Sequence, residues 1–154
     1  MSVITEKYNK ALEEFEQQKR NLFALMRENG IELLTEGLSP MIQSPITGVQ
    51  WRQYTPYFND GETCVFSVHE PEIIFEGSEE ATYVWVRPDG TISADTEEEL
   101  VATDELRENL KAIDSFFNSQ PEDLFEIIFG DHVEVTVRME KDKLVFTSNE
   151  VDHD

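Results

Sequence analysis

The chain of 154 residues holds 33 Asp and Glu against 12 Lys and Arg, which gives a formal net charge of −21. A field this negative repels nucleic acids, nucleotides and anionic membranes and attracts basic surfaces, so we expect no direct nucleic-acid or membrane binding. One cysteine, Cys64, excludes a framework of internal disulfides, and we find no long apolar run and no secretory signal. These features predict a folded cytoplasmic protein.

The first element is a long amphipathic helix, predicted over residues 4–29 of a segment 1–30. Its end is predicted at Glu28-Asn29-Gly30. An apolar seam follows alternating spacings of four and three, with Lys19 at the missing step: Tyr8, Leu12, Phe15, Leu22 and Met26. We predict self-association, as a homodimer, through these five residues. A helix packed on the chain's own sheet would show the same pattern.

A connector is predicted over residues 31–48, in which the first part fits either a short helix or a short strand, and two prolines and two glycines punctuate the rest. The remainder, 49–151, is predicted to form the globular body. A period of two from Val49 to Thr55 predicts a strand, Asn59-Asp60-Gly61 a turn, and Thr63 to Glu70 the return strand.

The second half of the chain continues with strands, then helices, then a hairpin. The predicted elements are strands at 72–76 and 81–93 (with a Pro-Asp-Gly turn), helices at 94–100, 103–119 and 121–130, and hairpin strands at 132–140 and 143–151. In the clearest helix Thr103 is the predicted cap, and Leu106, Leu110, Ile113 and Phe117 share one face. This order predicts an α+β fold, in which the long N-terminal helix and two or three further helices pack on an antiparallel sheet.

The sequence contains no clear motif for catalysis or metal binding. The seven glycines form no phosphate-binding loop, and no nucleophile elbow occurs. Cys64 and His69 are five residues apart, so in a strand they would face opposite ways. His132 and Glu134 fit an exposed strand face better than a metal site. We therefore predict no catalytic residues, no metal and no cofactor.

Acidic residues dominate the stretch 70–131, which holds 18 acids and three bases, whereas residues 1–30 hold five of each. We predict that the acids form a surface that binds a basic protein. Solubility alone would explain them equally well. The predicted surface consists of Glu76, Glu79, Glu80, Asp95, Glu97, Glu98, Glu99, Asp104, Glu105, Glu108, Asp114, Glu122, Asp123 and Glu126.

The segment Tyr54–Pro71, "YTPYFNDGETCVFSVHEP", resembles a segment of uncharacterised small acidic proteins of tailed bacteriophages. It carries no known catalytic residue, so the resemblance transfers no site. Small, very acidic phage proteins are similar, as a class, to inhibitors that mimic DNA. The resemblance thus implies a DNA mimic that inhibits a basic host DNA-binding or defence protein in the host cytoplasm. The alternative is an assembly factor that oligomerises through the N-terminal helix, and an enzyme would need a convergent site.

Overall fold

The computed structural model describes residues 2–56, 64–95 and 102–151. It confirms the predicted α+β class, with a long N-terminal helix, an antiparallel sheet and further helices. The helices are α1 (Val3–Leu38), α2 (Asp104–Ser119) and α3 (Glu122–Phe129). The strands are β1 (Ile46–Tyr54), β2 (Ser67–Val68), β3 (Glu72–Phe75), β4 (Ala81–Thr82), β5 (Val84–Val86), β6 (Ile92–Ala94), β7 (Val133–Glu140) and β8 (Lys143–Glu150).

The main sheet is antiparallel, with the order β4-β3-β1-β7-β8, and β2 pairs with the end of β1. Strand β1 is central, because β3 and β2 flank one side of it and β7 the other. The predicted C-terminal hairpin is confirmed, and it turns at Lys141 and Asp142, both with positive φ. Within the described part of the predicted return strand, residues 64–70, Ser67 and Val68 pair with β1, and the His69 amide donates to the Arg52 carbonyl at 2.9 Å. The turn at 59–61 and residues 96–100 of the helix predicted at 94–100 lie outside the described residues, whereas Ala94, the first residue of that predicted helix, is the last residue of β6.

The predicted strand at 81–93 divides between two sheets. Strand β4 is the edge of the main sheet, whereas β5 and β6 form a separate hairpin around Pro88-Asp89-Gly90. Two hydrogen bonds join the sheets, because the Thr82 hydroxyl donates to the Asp95 carbonyl and the Asp95 amide donates to the Tyr83 carbonyl, both at 2.9 Å. A run of alternating residues cannot show where a chain changes its pairing partner.

Helix α1 continues to Leu38, so the predicted helix end at Gly30 was wrong, and the first part of the predicted connector is helical. Gly30 lies against α3, where a Cβ would come within 2.4 Å of Ile128 Cδ1. Gly37 lies against α2, where a Cβ would come within 2.2 Å of Phe116 Cε2. Both glycines therefore permit close helix packing, which overrides their low helix propensity.

The core lies between one face of the sheet and the three helices. Its centre is Trp51 on β1, which is 1% exposed and meets Phe117, Phe125 and Phe129 edge-on at centroid distances of 4.9, 5.8 and 5.8 Å. The four predicted apolar residues of α2 are all buried, as the helical spacing required. Burial of these large side chains supplies most of the stabilisation of the fold.

One buried polar side chain connects the sheet to α3. Gln53 is fully buried, accepts a hydrogen bond from the Trp51 indole at 2.9 Å, and donates to the carbonyls of Phe125 and Gly130 at 2.9 and 2.7 Å. All these hydrogen bonds form away from water, where an unpaired polar group costs the most. Gln53 therefore fixes the C-terminal end of α3 over β1.

Candidate functional site

The predicted acidic surface is largely exposed. Its members after β3, after β6 and on α2 and α3 are Glu76, Glu79, Glu80, Asp95, Asp104, Glu105, Glu108, Asp114, Glu122 and Asp123, all exposed, and Glu126, half-buried. Glu97, Glu98 and Glu99 lie outside the described residues. Two helices thus carry seven of the described members, which gives these carboxylates a fixed spacing.

Local physics explains why some of these acids lie where they do. Helix α2 begins after Thr103, whose hydroxyl accepts a hydrogen bond from the Leu106 amide at 3.1 Å. Asp104 and Glu105 then occupy its first turn, and α3 likewise begins with two acids. The helix dipole favours negative charge at these positions. The preference of helix N-termini for acidic residues therefore accounts for part of the acidic surface.

Three members have structural partners, one of which is Asp114, whose carboxylate accepts a hydrogen bond from the Asn118 side-chain amide at 3.4 Å. Asp104 pairs with Arg107, and Glu122 accepts a hydrogen bond from the Val68 amide at 2.7 Å, which ties α3 to β2. Across residues 2–56, 64–95 and 102–151, no other member lies within ion-pair distance of a Lys or Arg side chain. Most of the described carboxylates of this surface are therefore available to bind water or a partner protein.

A polar groove, missed by the sequence reasoning, crosses the outer face of the sheet with a volume of about 410 Å³. Arg52 on β1 pairs there with Glu134 on β7 at 2.8 Å, and this hydrogen bond raises the pKa of Arg52. Burial raises the pKa of Glu72 in the same groove, and repulsion by Glu134 adds to the effect. The imidazole of His69 stacks on the Tyr54 ring at 4.2 Å.

The charge of this groove decides what it can attract. Three carboxylates, those of Glu70, Glu72 and Glu134, line it with a single guanidinium. The groove therefore suits a cationic group rather than an anion. The outward residues of β1 and the pairing of Arg52 with Glu134 create it. Since these two residues are far apart in the chain, only the strand register reveals the site.

A second, smaller cavity of about 220 Å³ lies between β5 and α2. The rings of Tyr83 and Trp85 form one wall, at a centroid distance of 5.1 Å, and Lys111 and Asp114 lie on the helix side. A hydrogen bond to Glu70 raises the pKa of the Tyr83 phenol. Asp114 thus stands apart from the outward acids of α2 and faces an aromatic wall.

The groups considered for catalysis or metal binding are dispersed. Cys64 is half-buried and precedes β2. Arg52, Arg107 and Arg138 contact three different partners, namely Glu134, Asp104 and the Glu79 carbonyl. Within the described part of the chain, no group of three or more His, Cys, Asp or Glu residues is placed to hold a metal ion. In the same part, no helix is both long and apolar enough to cross a membrane.

The predicted seam of α1 divides into two environments. Every side chain from Ser2 to Leu22 is exposed, including Tyr8 at 66% and Phe15 at 60%. Met26, predicted for self-association, is instead 6% exposed and belongs to the core of the body. The exposed seam is therefore Tyr8, Leu12, Phe15 and Leu22, and Met26 marks the place where it enters the body.

Compared with known proteins, the chain matches no protein-family model, no curated protein and no solved structure. The resemblance of residues 54–71 to phage proteins thus stays a prediction, and part of that segment, 57–63, lies outside the described residues.

Proposed function

We propose that this protein is a non-enzymatic, acidic binding protein of the cytoplasm that docks on the basic surface of another protein. In the specific form of the proposal it is a phage-encoded DNA mimic that inhibits a host DNA-binding or defence protein. Its carboxylates would then occupy the surface that otherwise contacts the phosphates of DNA.

The observation that supports this proposal is the exposure of unpaired carboxylates on the two packed helices. Glu105 and Glu108 lie on the outer side of α2, and Asp123 begins α3. Their helices are held by Trp51 and Gln53, so the charges keep their relative positions. Fixed charges that need not be ordered on binding favour steered and rapid association with an oppositely charged surface.

The outer groove adds a second contact for a basic partner. A guanidinium or ammonium group placed between Glu72 and Glu134 would relieve the repulsion that raises the pKa of Glu72. A long basic side chain is the natural occupant, because its apolar stem can pack on Tyr54 while its head reaches the carboxylates.

Capture of partners from a bacterial lysate tests the proposal. Tagged protein is incubated at about 50 mM and about 500 mM NaCl, because ion pairs at a surface weaken with ionic strength. We expect a DNA-binding protein that is retained at low salt and displaced by salt or by competing duplex DNA. Recovery of only this chain, or of partners indifferent to salt, would contradict mimicry.

A matched pair of triple variants locates the surface. The first carries Glu105→Gln, Glu108→Gln and Asp123→Asn; the second removes the same number of charges from the hairpin through Glu140→Gln, Asp142→Asn and Glu150→Gln. All six positions are exposed. We expect the first variant to lose capture by at least about tenfold and the second to keep it. Equal losses would mean that net charge, not this surface, drives the binding.

A second candidate function is assembly through α1, with the charge serving solubility. Its specific support is the exposed apolar seam from Tyr8 to Leu22, since a monomeric helix in water gains nothing from such a stripe. Salt does not weaken this function, because apolar contacts are not screened. The lysate experiment therefore separates the two candidates.

A further inference from the structure

We propose that α1 pairs with a second copy of this chain in an antiparallel arrangement, so that the two acidic bodies lie at opposite ends of the helix pair. This inference rests on assembly through α1 and adds the partner and its direction. It concerns the exposed half of α1, from Val3 to Leu22.

The spacing of the seam supports self-pairing. Tyr8, Phe15 and Leu22 repeat every seven residues, and Leu12, Lys19 and Met26 form the second heptad series. Two series offset by three and four residues define the contact line of a two-stranded coiled coil. At about 1.5 Å per residue, the exposed part of this line, from Tyr8 to Leu22, is about 21 Å long. The seam is therefore long enough for several layers of apolar contact.

The antiparallel register follows from matching these two series. When Leu12 lies opposite the partner's Leu22, Phe15 lies opposite the partner's Lys19. Each layer then joins one residue of the first series to one of the second. In the parallel pair, every residue faces its own copy. The two directions therefore differ in which side chains meet.

Lys19 favours the antiparallel direction. In a parallel pair its ammonium group would face the same group of the partner inside the seam, which is repulsive. In the antiparallel pair it faces the ring of the partner's Phe15, a cation–π arrangement. Within the chain the Lys19 ammonium already lies 5.7 Å from the centroid of the Phe23 ring. Its side chain thus reaches an aromatic face along the helix surface.

The charge of the bodies favours the same direction over a longer range. Residues 1–30 are neutral, so the whole formal charge of −21 lies in the rest of the chain. A parallel pair would place both bodies side by side at one end, about 10 Å apart at the helices. The antiparallel pair separates the Met26 positions by about 27 Å, more than three Debye lengths at physiological salt.

The exposed segment of α1 holds the layers of this pairing. Leu12, Phe15, Lys19 and Leu22 are all exposed, whereas Met26 is 6% exposed and lies beneath the body. The contact between the two copies therefore runs from Leu12 to Leu22.

Directional cross-linking tests the proposal. In a Cys64→Ser background, one protein carries Leu12→Cys and a second, tagged to differ in mass, carries Leu22→Cys. Both positions are about half exposed in the chain, at 44% and 49%. The two proteins are mixed in a glutathione redox buffer, so that disulfides form at equilibrium. A protein with Val145→Cys, an exposed strand position, measures random cross-linking.

We expect the mixed disulfide between positions 12 and 22 to exceed both like-with-like disulfides by at least about tenfold. A predominance of like-with-like disulfides overturns the antiparallel direction and leaves assembly through α1 intact. Cross-linking no greater than that of the Val145→Cys control overturns pairing altogether.

Sedimentation of the full chain supplies the independent measurement. We expect a dimer whose mass falls to that of a monomer in the variant Leu12→Glu with Phe15→Glu. The control carries Gln17→Glu and Asn21→Glu, which add the same charge to the opposite side of the helix, and it should stay dimeric. A wild-type monomer at about 100 μM, far above the dissociation constants of specific dimers, overturns both this inference and assembly through α1. Salt-sensitive capture of a basic partner would stand in either case.

Discussion

The two halves of α1 share one helix and one apolar stripe but meet opposite surroundings. In the first half, Tyr8, Leu12 and Phe15 face water, whereas in the second half Leu34 and Leu38 are fully buried. What distinguishes the second half is its glycines, Gly30 and Gly37, which let α3 and α2 approach the backbone. The comparison shows that the spacing of apolar residues determines which face of a helix is available for packing. The small residues determine where other helices of the same chain cover that face.

Two leucine truncations are expected to separate the halves most strongly. Leu34→Ala removes a fully buried side chain and should lower the free energy of unfolding by about 2–5 kcal/mol. Leu12→Ala, measured at low protein concentration, should change it by less than about 0.5 kcal/mol. Urea unfolding followed by circular dichroism checks both. Equal effects would mean that the first half also packs on the body.

The link between the sheet and α3, on which the second half of α1 rests, is the next largest effect. Gln53→Leu leaves the Trp51 indole and the carbonyls of Phe125 and Gly130 without this partner, so we expect a loss of about 2–4 kcal/mol. Gln50→Leu, on the outer face of the same strand, is the control and should cost less than about 1 kcal/mol. The unfolding midpoint in urea measures both variants.

The glycine contacts can be tested by adding a single carbon. Gly37→Ala places a Cβ 2.2 Å from the Phe116 ring, an overpacking that costs about 1–3 kcal/mol, against a gain of up to about 1 kcal/mol in helix propensity. We expect a net loss of about 1–2 kcal/mol by thermal unfolding. Gln17→Ala, in the exposed half, should be neutral within about 0.5 kcal/mol. A stabilised Gly37→Ala variant would refute the close-packing role.

The smallest effect concerns pH. Burial raises the pKa of Glu126, and Asp131 and Asp123 add repulsion, so protonation of Glu126 favours the folded state. Its stabilising contribution is present below the unfolded pKa of about 4.3 and is lost as the pH rises through the higher folded value. Stability should therefore increase when the pH falls from 7 to about 5. Glu126→Gln should raise stability at pH 7 by less than about 1 kcal/mol and reduce this increase.

Asp131 limits how far stability increases as the pH falls. Burial alone would raise its pKa, but hydrogen bonds from the Thr55 hydroxyl and amide, at 2.7 and 2.8 Å, lower it overall. Its contribution is present above the unfolded pKa of about 3.9 and is lost as the pH falls through the lower folded value. Thermal unfolding from pH 7 to 3 should show a maximum, and Asp131→Asn, which removes the loss of stability on the acid side, should shift it to lower pH. Glu140→Gln, which removes one exposed charge, is the control and should leave the maximum in place.

The elements of the fold that could be predicted from the sequence were those determined by residues close together in the chain. The Thr103 cap and the spacing of Leu106, Leu110, Ile113 and Phe117 defined α2, because capping and helical periodicity act within a few residues. The end of α1 was predicted wrongly, since the contact that keeps Gly30 helical comes from Ile128. The separation of β4 from β5 also depends on pairing between distant segments.

The candidate surfaces divide in the same way. Exposure of the α2 and α3 acids followed from their place opposite the buried faces of those helices. The outer groove was not predicted, because Arg52 and Glu134 meet only through the pairing of β1 with β7. Met26 was assigned to self-association because its spacing fits the seam, yet the body covers it.

The central position of β1 has a consequence for synthesis of the chain. Trp51 leaves the ribosome long before its neighbouring strand, since Val135 of β7 lies opposite it. At about 5–20 residues per second, the nascent chain holds Trp51 without that partner for roughly 4–17 seconds. During this interval the apolar strand is open to other chains. Much of the acidic stretch 70–131 emerges in the same interval, and its mutual repulsion would keep neighbouring nascent chains apart.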